Sequence, residues 1–337
     1  MRRTSLLPIA VVLAAAGALA GCGGDEPELV VYSGRAESLI GPLLDDFTDD
    51  TGIDVEVKYG QSADLALLVD EELAAGSSAV DVFISQSPGA IGYLENNARL
   101  APLPQDVLDL VPATVRDDDG RWVGLSGRVR VLVYNTELVD PADLPSSVLD
   151  LVDPVWRGRI GVAPSNGSFQ DFVTAMRVTE GDDVTEAFLD GLVANEPLSY
   201  ANNNAIVEAV ARGEVEIGLV NHYYNHRRLV EVPDSPTANH QLADGDAGAL
   251  LIVSGAAVME GTDRAEDAQR LVAWLLERQA QEYFAEETYE YPLAAGVEPA
   301  GDVPPIEFAD VGGIDFSDLG DGLQATREMI LAAGLDG

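Results

Sequence analysis

Residues 28–59 read ELVVYSGRAESLIGPLLDDFTDDTGIDVEVKY. The stretch opens on an apolar run, Glu28 to Ser33, that reads as a strand. From Ala36 to Thr51, Leu39, Leu43, Leu44 and Phe47 recur at the spacing of one helical face. Ile53 to Tyr59 then alternates apolar and polar residues, as a half-buried strand does. The alternation continues with a helix over Ala63 to Ala75 closed by Gly76, a strand over Val80 to Ser85 and a short helix over Pro88 to Asn96. Strand and helix in this order imply a parallel, doubly wound sheet. Ligands of such sheets gather at the carboxyl ends of the strands. Here those ends are Ser33-Gly34-Arg35 and Ser85-Gln86-Ser87.

A second unit runs from about Val129 to Ile252. Its reading gives a strand over Arg159 to Ala163, a polar loop over Pro164 to Ser168 and a helix over Phe169 to Val178. A helix over Ala205 to Arg212, closed by Gly213, leads into a strand over Val215 to Val220. An apolar strand over Ala249 to Val253 and one long amphipathic helix over Ala265 to Phe284 follow. The pattern fits two lobes with the chain crossing near Gly127 to Arg130 and again near Val253-Ser254, and a binding cleft between them. The expected division places residues 28–128 plus 254–304 in the first lobe and 129–253 plus 305–337 in the second.

The N-terminus has the charged residues Arg2 and Arg3, a short apolar stretch from Leu6 to Ala20 and then Leu19-Ala20-Gly21-Cys22. That is the layout of an export signal rather than of a membrane span. Leu-Ala-Gly-Cys looks like a bacterial lipobox, so residues 1–21 are expected to be removed and Cys22 to carry lipid. Residues 22–27 would then form a short tether to the outer face of the cell membrane or in the periplasm. Arg2-Arg3 fits either the general or the twin-arginine export route. Cys22 is the single cysteine, which excludes an intramolecular disulfide.

The chain carries 58 acidic and 19 basic residues, a formal net charge of −39. A surface so acidic repels nucleic acid, which is therefore not an expected partner. No nucleophile elbow, phosphate-binding loop, dinucleotide fingerprint or Cys-His pairing is present, so an enzyme is not expected. Asp45-Asp46 and Glu71-Glu72 fall on helix faces and read as solvated charge.

Directly after the strand at Val215 to Val220 comes Asn221-His222-Tyr223-Tyr224-Asn225-His226. Two adjacent tyrosines are ordinarily one packed and one exposed side chain. As phenolates they are also hard, anionic oxygen donors suited to Fe3+, and a trivalent ion would draw off the phenol protons below their usual range. His222 and His226, at i and i+4, would share a helix face. With no third ligand in view they read better as surface residues than as a zinc site.

Taken together, these segments resemble the bacterial ferric-ion-binding proteins, the solute receptors of iron ABC importers. The resemblance is carried by Val30 to Arg35, Thr51-Gly52-Ile53, Asp81-Val82-Phe83, Leu125 to Arg128 with Val131 to Asn135, and Trp156 to Gly161. It continues through Pro164 to Phe169, Asn202-Asn203-Asn204 and Gly213 to Tyr224. The resemblance implies an α/β fold of the two-lobed, periplasmic-binding-protein-like type II kind, each lobe a mostly parallel sheet flanked by helices. It implies Fe3+ as the transported ligand, held by Tyr223 and Tyr224 with a synergistic phosphate or carbonate. It places that anion at Asn166, Gly167 and Ser168, at Asn203 and at Asn221. It further implies a monomer that hands its cargo to an ABC permease and its ATPase.

Elementary chemistry supports the anion loop, because the start of a helix presents unpaired N–H groups and a favourable dipole. A plain N-cap by Ser165 or Asn166 would produce the same spacing. Two positions depart from the family. Where its best-known members place a first-lobe histidine and a carboxylate, this chain has Ala36 and Gln86. Some branches use a further tyrosine after the anion loop, where the nearest aromatic here is Phe169. Arg35 and Arg128 are expected to grip the anion in compensation, whereas Arg227 and Arg228 read as a solvated helix face. The rival reading is a receptor of the same fold for an organic anion, phosphonate or polyamine, without metal.

Overall fold

The computed structural model describes residues 28–77, 79–301, 303, 304 and 316–335. The expected signal peptide at 1–21, the lipidation site Cys22, the tether to residue 27 and the segment 305–315 lie outside the described residues. Among those described, no helix is long and apolar enough to cross a membrane.

The first part of the chain follows the alternating pattern of its sequence. β1 (Leu29–Ser33), α1 (Glu37–Thr51), β2 (Val55–Tyr59), α2 (Ser62–Ala74), β3 (Val82–Ser85) and α3 (Pro88–Asn96) lead to the short β4 (Leu100–Ala101) and α4 (Gln105–Leu108). Ile40, Leu43, Leu44 and Phe47 form the buried stripe of α1. β1 pairs in parallel with both β2 and β3.

β5 (Trp122–Asn135) then runs for 14 residues, all of them buried. The second lobe follows with β6 (Ile160–Val162), α5 (Gly167–Glu180), α6 (Asp182–Ala194), β7 (Leu198–Ser199), α7 (Asn203–Ala211), β8 (Ile217–Asn221), α8 (His222–Glu231) and β9 (Thr237–His240). β10 (Leu251–Met259) returns to the first lobe, followed by α9 (Ala265–Trp274), α10 (Arg278–Glu286), β11 (Tyr291–Pro292) and α11 (Phe316–Ala333).

The strands form one continuous series, β2-β1-β3-β10-β5-β8-β6-β7, with β4 beside β10 and with β9 and β11 beside β5. Pairing is parallel among β1, β2 and β3 and among β6, β7 and β8. The crossing strands are antiparallel, so the sheet as a whole is mixed. Residues 122–129 of β5 pair with β10, and residues 130–135 pair with β8 and β9. Each half of the series has its own hydrophobic core, one around Phe47, Phe83 and Leu271, the other around Phe169, Phe172 and Phe188.

Two expectations change. The strand read as Ala249 to Val253 extends to Met259. Its second half, Ser254-Gly255-Ala256-Ala257, lacks β-branched residues and is held as strand by neighbours on both sides, β3 and β5.

The long helix read over Ala265 to Phe284 is two helices broken at Leu275 to Glu277. Leu275 and Leu276 both enter the core there. The buried Gln281 side chain satisfies backbone groups around the break, donating to the carbonyls of Leu275 (2.9 Å) and Leu125 (3.0 Å) and accepting from the N–H groups of Leu293 and Ala294.

The helix α11, in the part of 305–337 expected in the second lobe, packs on α3 as well as on α5. At Gly320 the backbones approach so closely that a Cβ would sit 2.4 Å from the Tyr93 nitrogen.

Candidate functional site

Between the two halves lies a cavity of about 200 Å³. The first lobe contributes Gly34, the start of α2 (Gln61 to Asp64), Gln86 and Ser87. The second lobe contributes Ser165 to Ser168, Asp171, Asn221, Tyr223 and Tyr224, with Arg128 from β5 and Arg327 from α11. The sequence reading placed the ligand at the ends of β1 and β3, and both ends border this space.

β8 delivers the tyrosines. All five of its residues are buried, and α8 begins immediately after Asn221. The Tyr223 and Tyr224 rings stack at 4.2 Å between centroids with 27° between their planes. Tyr223 is buried and Tyr224 partly exposed. Burial, then the neighbouring Tyr224 and Glu290, raise the Tyr223 phenol well above its ordinary value, against the pull of Arg128. Without a cation Tyr223 is thus held as a phenol beside the Tyr224 ring. A trivalent ion would have to displace the Tyr223 proton to gain an anionic donor.

The loop ahead of α5 brings Asn166, Gly167 and Ser168 to the same cavity. Asn166 is the N-cap, its Oδ1 accepting from the Ser168 N–H (3.1 Å) and the Ser168 Oγ (2.6 Å). The capping role is therefore real and coexists with a place in the cavity wall. A side chain at Gly167 would project into open space. Asn203, the first residue of α7, stands behind this wall, its Nδ2 donating to Ser168 Oγ at 3.3 Å. It borders the cavity only through that serine.

The two expected arginines part company. Arg128 reaches the cavity, its guanidinium donating to Ser254 Oγ (2.8 Å) and to the Gln86 carbonyl. Arg35 does not line it. The Arg35 side chain is buried against Glu290 at 2.6 Å, bonds Ser126 and Ser254, and lies 5.2 Å from the Phe284 ring centroid. Its charge is committed to a carboxylate, so the expectation that it grips an anion is corrected.

Other departures concern the flanking residues. His222 is buried, not a surface residue. Its Nδ1 accepts from the Val129 N–H (3.2 Å) and its Nε2 meets the Tyr289 carbonyl (2.8 Å). Both nitrogens are engaged, which removes it from any zinc site. Burial, then His226, lower its pKa to about 3. Arg228 pairs with Glu208 and Ser235 rather than lying on a solvated face. Glu72 accepts the Tyr32 hydroxyl (2.9 Å) rather than standing as free charge. Ala36 caps the start of α1 without a side-chain bond. Gln86 Oε1 lies 3.5 Å from Ser254 Oγ.

Sequence reading missed Arg130, Asp171 and Arg327, and gave Ser87 only as part of a strand end. Arg130 is fully buried, its Nη1 within 3.3 Å of both Ser168 Oγ and Asn221 Oδ1. Burial lowers its pKa to about 10, opposed by Tyr224 and Asp171. The period of two along a strand was the available signal, since it sets Arg130 on the same face as Arg128. Asp171 follows Ser168 by one helical turn. Burial raises its carboxyl to about 6, opposed by a hydrogen bond from Ser87 and by Arg128 and Arg130.

Among the described residues no three His, Cys, Asp or Glu side chains gather as a metal site. The anionic or potentially anionic oxygens that border the cavity are those of Tyr223, Tyr224, Asp64 and Asp171, beside amides, hydroxyls and the Arg128 and Arg327 guanidinium groups.

Residues 77–309 match the family of bacterial extracellular solute-binding proteins. The chain is 30% identical over 342 residues to the Fe(3+)-binding periplasmic protein of Serratia marcescens, covering 99% of both chains. It is 32% identical over 308 residues to the major ferric iron-binding protein of Neisseria meningitidis, with 89% of this chain and 91% of the relative covered. The crystal structure of iron-bound HitA from Pseudomonas aeruginosa superposes with a TM-score of 0.84 at 32% identity, over 91% of this chain and all of that one.

Proposed function

This chain belongs to the ferric-ion-binding family of bacterial extracellular solute-binding proteins, and from that premise we propose that it captures Fe3+ outside the cytoplasm as cargo for an ABC importer. The carrying observation is the stacked pair Tyr223 and Tyr224 at the start of α8, in one cavity with the N-terminus of α5 and Arg128. Both phenols lose their protons to solvent when the ion binds. A phosphate or carbonate completes the coordination, received by Asn166, Gly167, Ser168 and Asn221. Arg128 contributes charge directly, and Arg130 and Asn203 act from behind through Ser168 and Asn221.

Residues 28–128 with 254–304 and residues 129–253 act as the two closing lobes, hinged on β5 and β10. Cargo that touches both lobes favours the closed state by its differential contacts. Cys22 carries the lipid anchor. The closed, monomeric form is the one that a permease and its ATPase read. Acid releases the cargo because protons compete for the phenolates.

The deciding experiment is an Fe3+ titration of the metal-stripped mature protein, with phosphate or carbonate added in turn. A visible phenolate-to-iron charge-transfer band saturating at one equivalent is expected, sharpened by one of the two anions. Absence of the band with both anions would overturn the reading in favour of a metal-free solute.

A further inference from the structure

Asp171 is a buried carboxylate (2 % exposed) in the cavity wall, on the same face of α5 as Ser168. Its Oδ1 accepts from Ser87 Oγ at 2.6 Å, a bond that crosses from the second lobe to the first. Its Oδ2 is buried with no hydrogen-bond partner. An anionic oxygen shut away from donors is costly, and each such case calls for a reason.

The nearby arginines act on Asp171 through their charge but do not hydrogen-bond it. Arg128 spends its two terminal nitrogens on Ser254 and Gln86, and Arg130 directs Nη1 to Ser168 and Asn221, while Arg130 Nη2 and Nε are themselves buried without a partner. Ser87 adjoins Gln86, whose neutral amide is a poor ligand for a trivalent ion. The carboxylate of Asp171 thus arrives, from the opposite lobe, beside the position that Gln86 leaves without an anionic donor.

We propose that Asp171 Oδ2 is a third protein ligand to the iron, with Ser87 holding Oδ1 and so fixing the carboxylate's direction. This rests on the tyrosinate reading above. Two phenolates and one carboxylate carry three negative charges, which neutralise Fe3+ before any anion binds. Ligating carboxylates are ordinarily oriented by a hydrogen bond on the other oxygen, and Ser87 provides it. Asp64, the other carboxylate bordering the cavity, is exposed on the first turn of α2 and has no such holder among the described residues.

The test is Fe3+ titration of the mature protein, supplied as the nitrilotriacetate chelate, for D171N, S87A and D64N beside the unaltered chain. In D171N the band should persist but move to longer wavelength, because iron that loses an anionic donor accepts charge more readily. Affinity should fall by more than about tenfold. D64N should leave the band where it is, and S87A, which frees the carboxylate but keeps its charge, should move the band by less than D171N does. Equal weakening in D171N and S87A with an unmoved band would make Asp171 a mere cross-cleft latch and overturn the proposal, as would a shift in D64N or an unchanged D171N.

Should D171N not fold, Asp171→Glu keeps the charge beside Arg128 and Arg130 while displacing the oxygen. A moved band then supports ligation, and an unmoved one overturns it. A missing band in the unaltered protein is a separate result, which removes the tyrosinate reading and this inference with it.

Discussion

Arg35 and Glu290, 255 positions apart, meet at 2.6 Å with both side chains buried, and the pair sits where the two lobes join. Ser126 of β5 and Ser254 of β10, the crossing strands, both bond Arg35 (3.1 and 2.6 Å), and Ser254 also accepts from Arg128 in the cavity wall. Glu290 accepts from Ser126 (3.0 Å) and Thr288 (3.1 Å) as well. Burial alone would raise the Glu290 carboxyl, but Arg35, Arg128 and the bonds from Arg35 and Ser126 outweigh it and hold it below the ordinary range. The pair is thus the inner end of a chain of contacts that reaches the site.

Glu290→Gln leaves the Arg35 charge buried without a counter-charge. It should destabilise the protein by about 3 kcal/mol or more, whereas replacing both residues by apolar ones of similar volume should recover much of the loss. Urea unfolding of the single and double variants measures this. A single variant as stable as the parent would show that the pair is not a structural contact.

His222 makes the protein sensitive to acid. Its folded pKa of about 3 lies below the ordinary 6.5, so the unfolded chain binds the extra proton between those values. The stabilisation is complete above pH 6.5 and is lost as pH falls toward 3. Asp171, raised to about 6, acts with the opposite sign between pH 4 and 6. In His222→Asn the loss of stability over pH 6.5 to 3 should be shallower than in the parent, as read by denaturant midpoints at successive pH values. An unchanged pH profile would remove this role.

Tyr223→Phe and Tyr224→Phe each delete one phenolic oxygen while leaving the stacked rings. Either change should abolish the coloured one-to-one iron complex, with little effect on thermal unfolding of the metal-free protein. A variant that keeps the band at full intensity is not missing a ligand.

Gly320 lets α11 lie against α3. A methyl group there meets the Tyr93 nitrogen at 2.4 Å and the Gly92 carbonyl carbon at 2.5 Å, backbone atoms that cannot rotate away. Gly320→Ala should cost about 1 to 3 kcal/mol. Because α11 also packs on α5, it should in addition loosen the lobes, seen as an increased radius of gyration in small-angle scattering. Equal stability and equal size would mean that the helices shift apart freely.

Much of the architecture was legible in local periodicity. The stripe Leu43, Leu44 and Phe47 and the alternation over Val55 to Tyr59 read directly as α1 and β2, because each element buries one face. The resemblance to the ferric-ion-binding proteins singled out Tyr223 and Tyr224 and the loop Asn166 to Ser168, and the structure brings all of them to one cavity. What the sequence could not assign were partners. Arg35 and Arg128 look alike as residues near a cleft. Long-range packing turns one onto Glu290 and the other into the cavity wall, since a buried guanidinium must find its counter-charge wherever the fold puts one.

The same reason separates His222 from the surface and Asp171 from ordinary helical charge. Their surroundings, Val129 and Tyr289 for one and Ser87 for the other, come from segments more than 60 residues away. The sequence by itself determined most of the elements, their alternation and the adjacency of the tyrosine pair, because these depend on residues within a few turns of one another. Only the tertiary structure decided which charges are free to meet a ligand, because that depends on which neighbours satisfy them first.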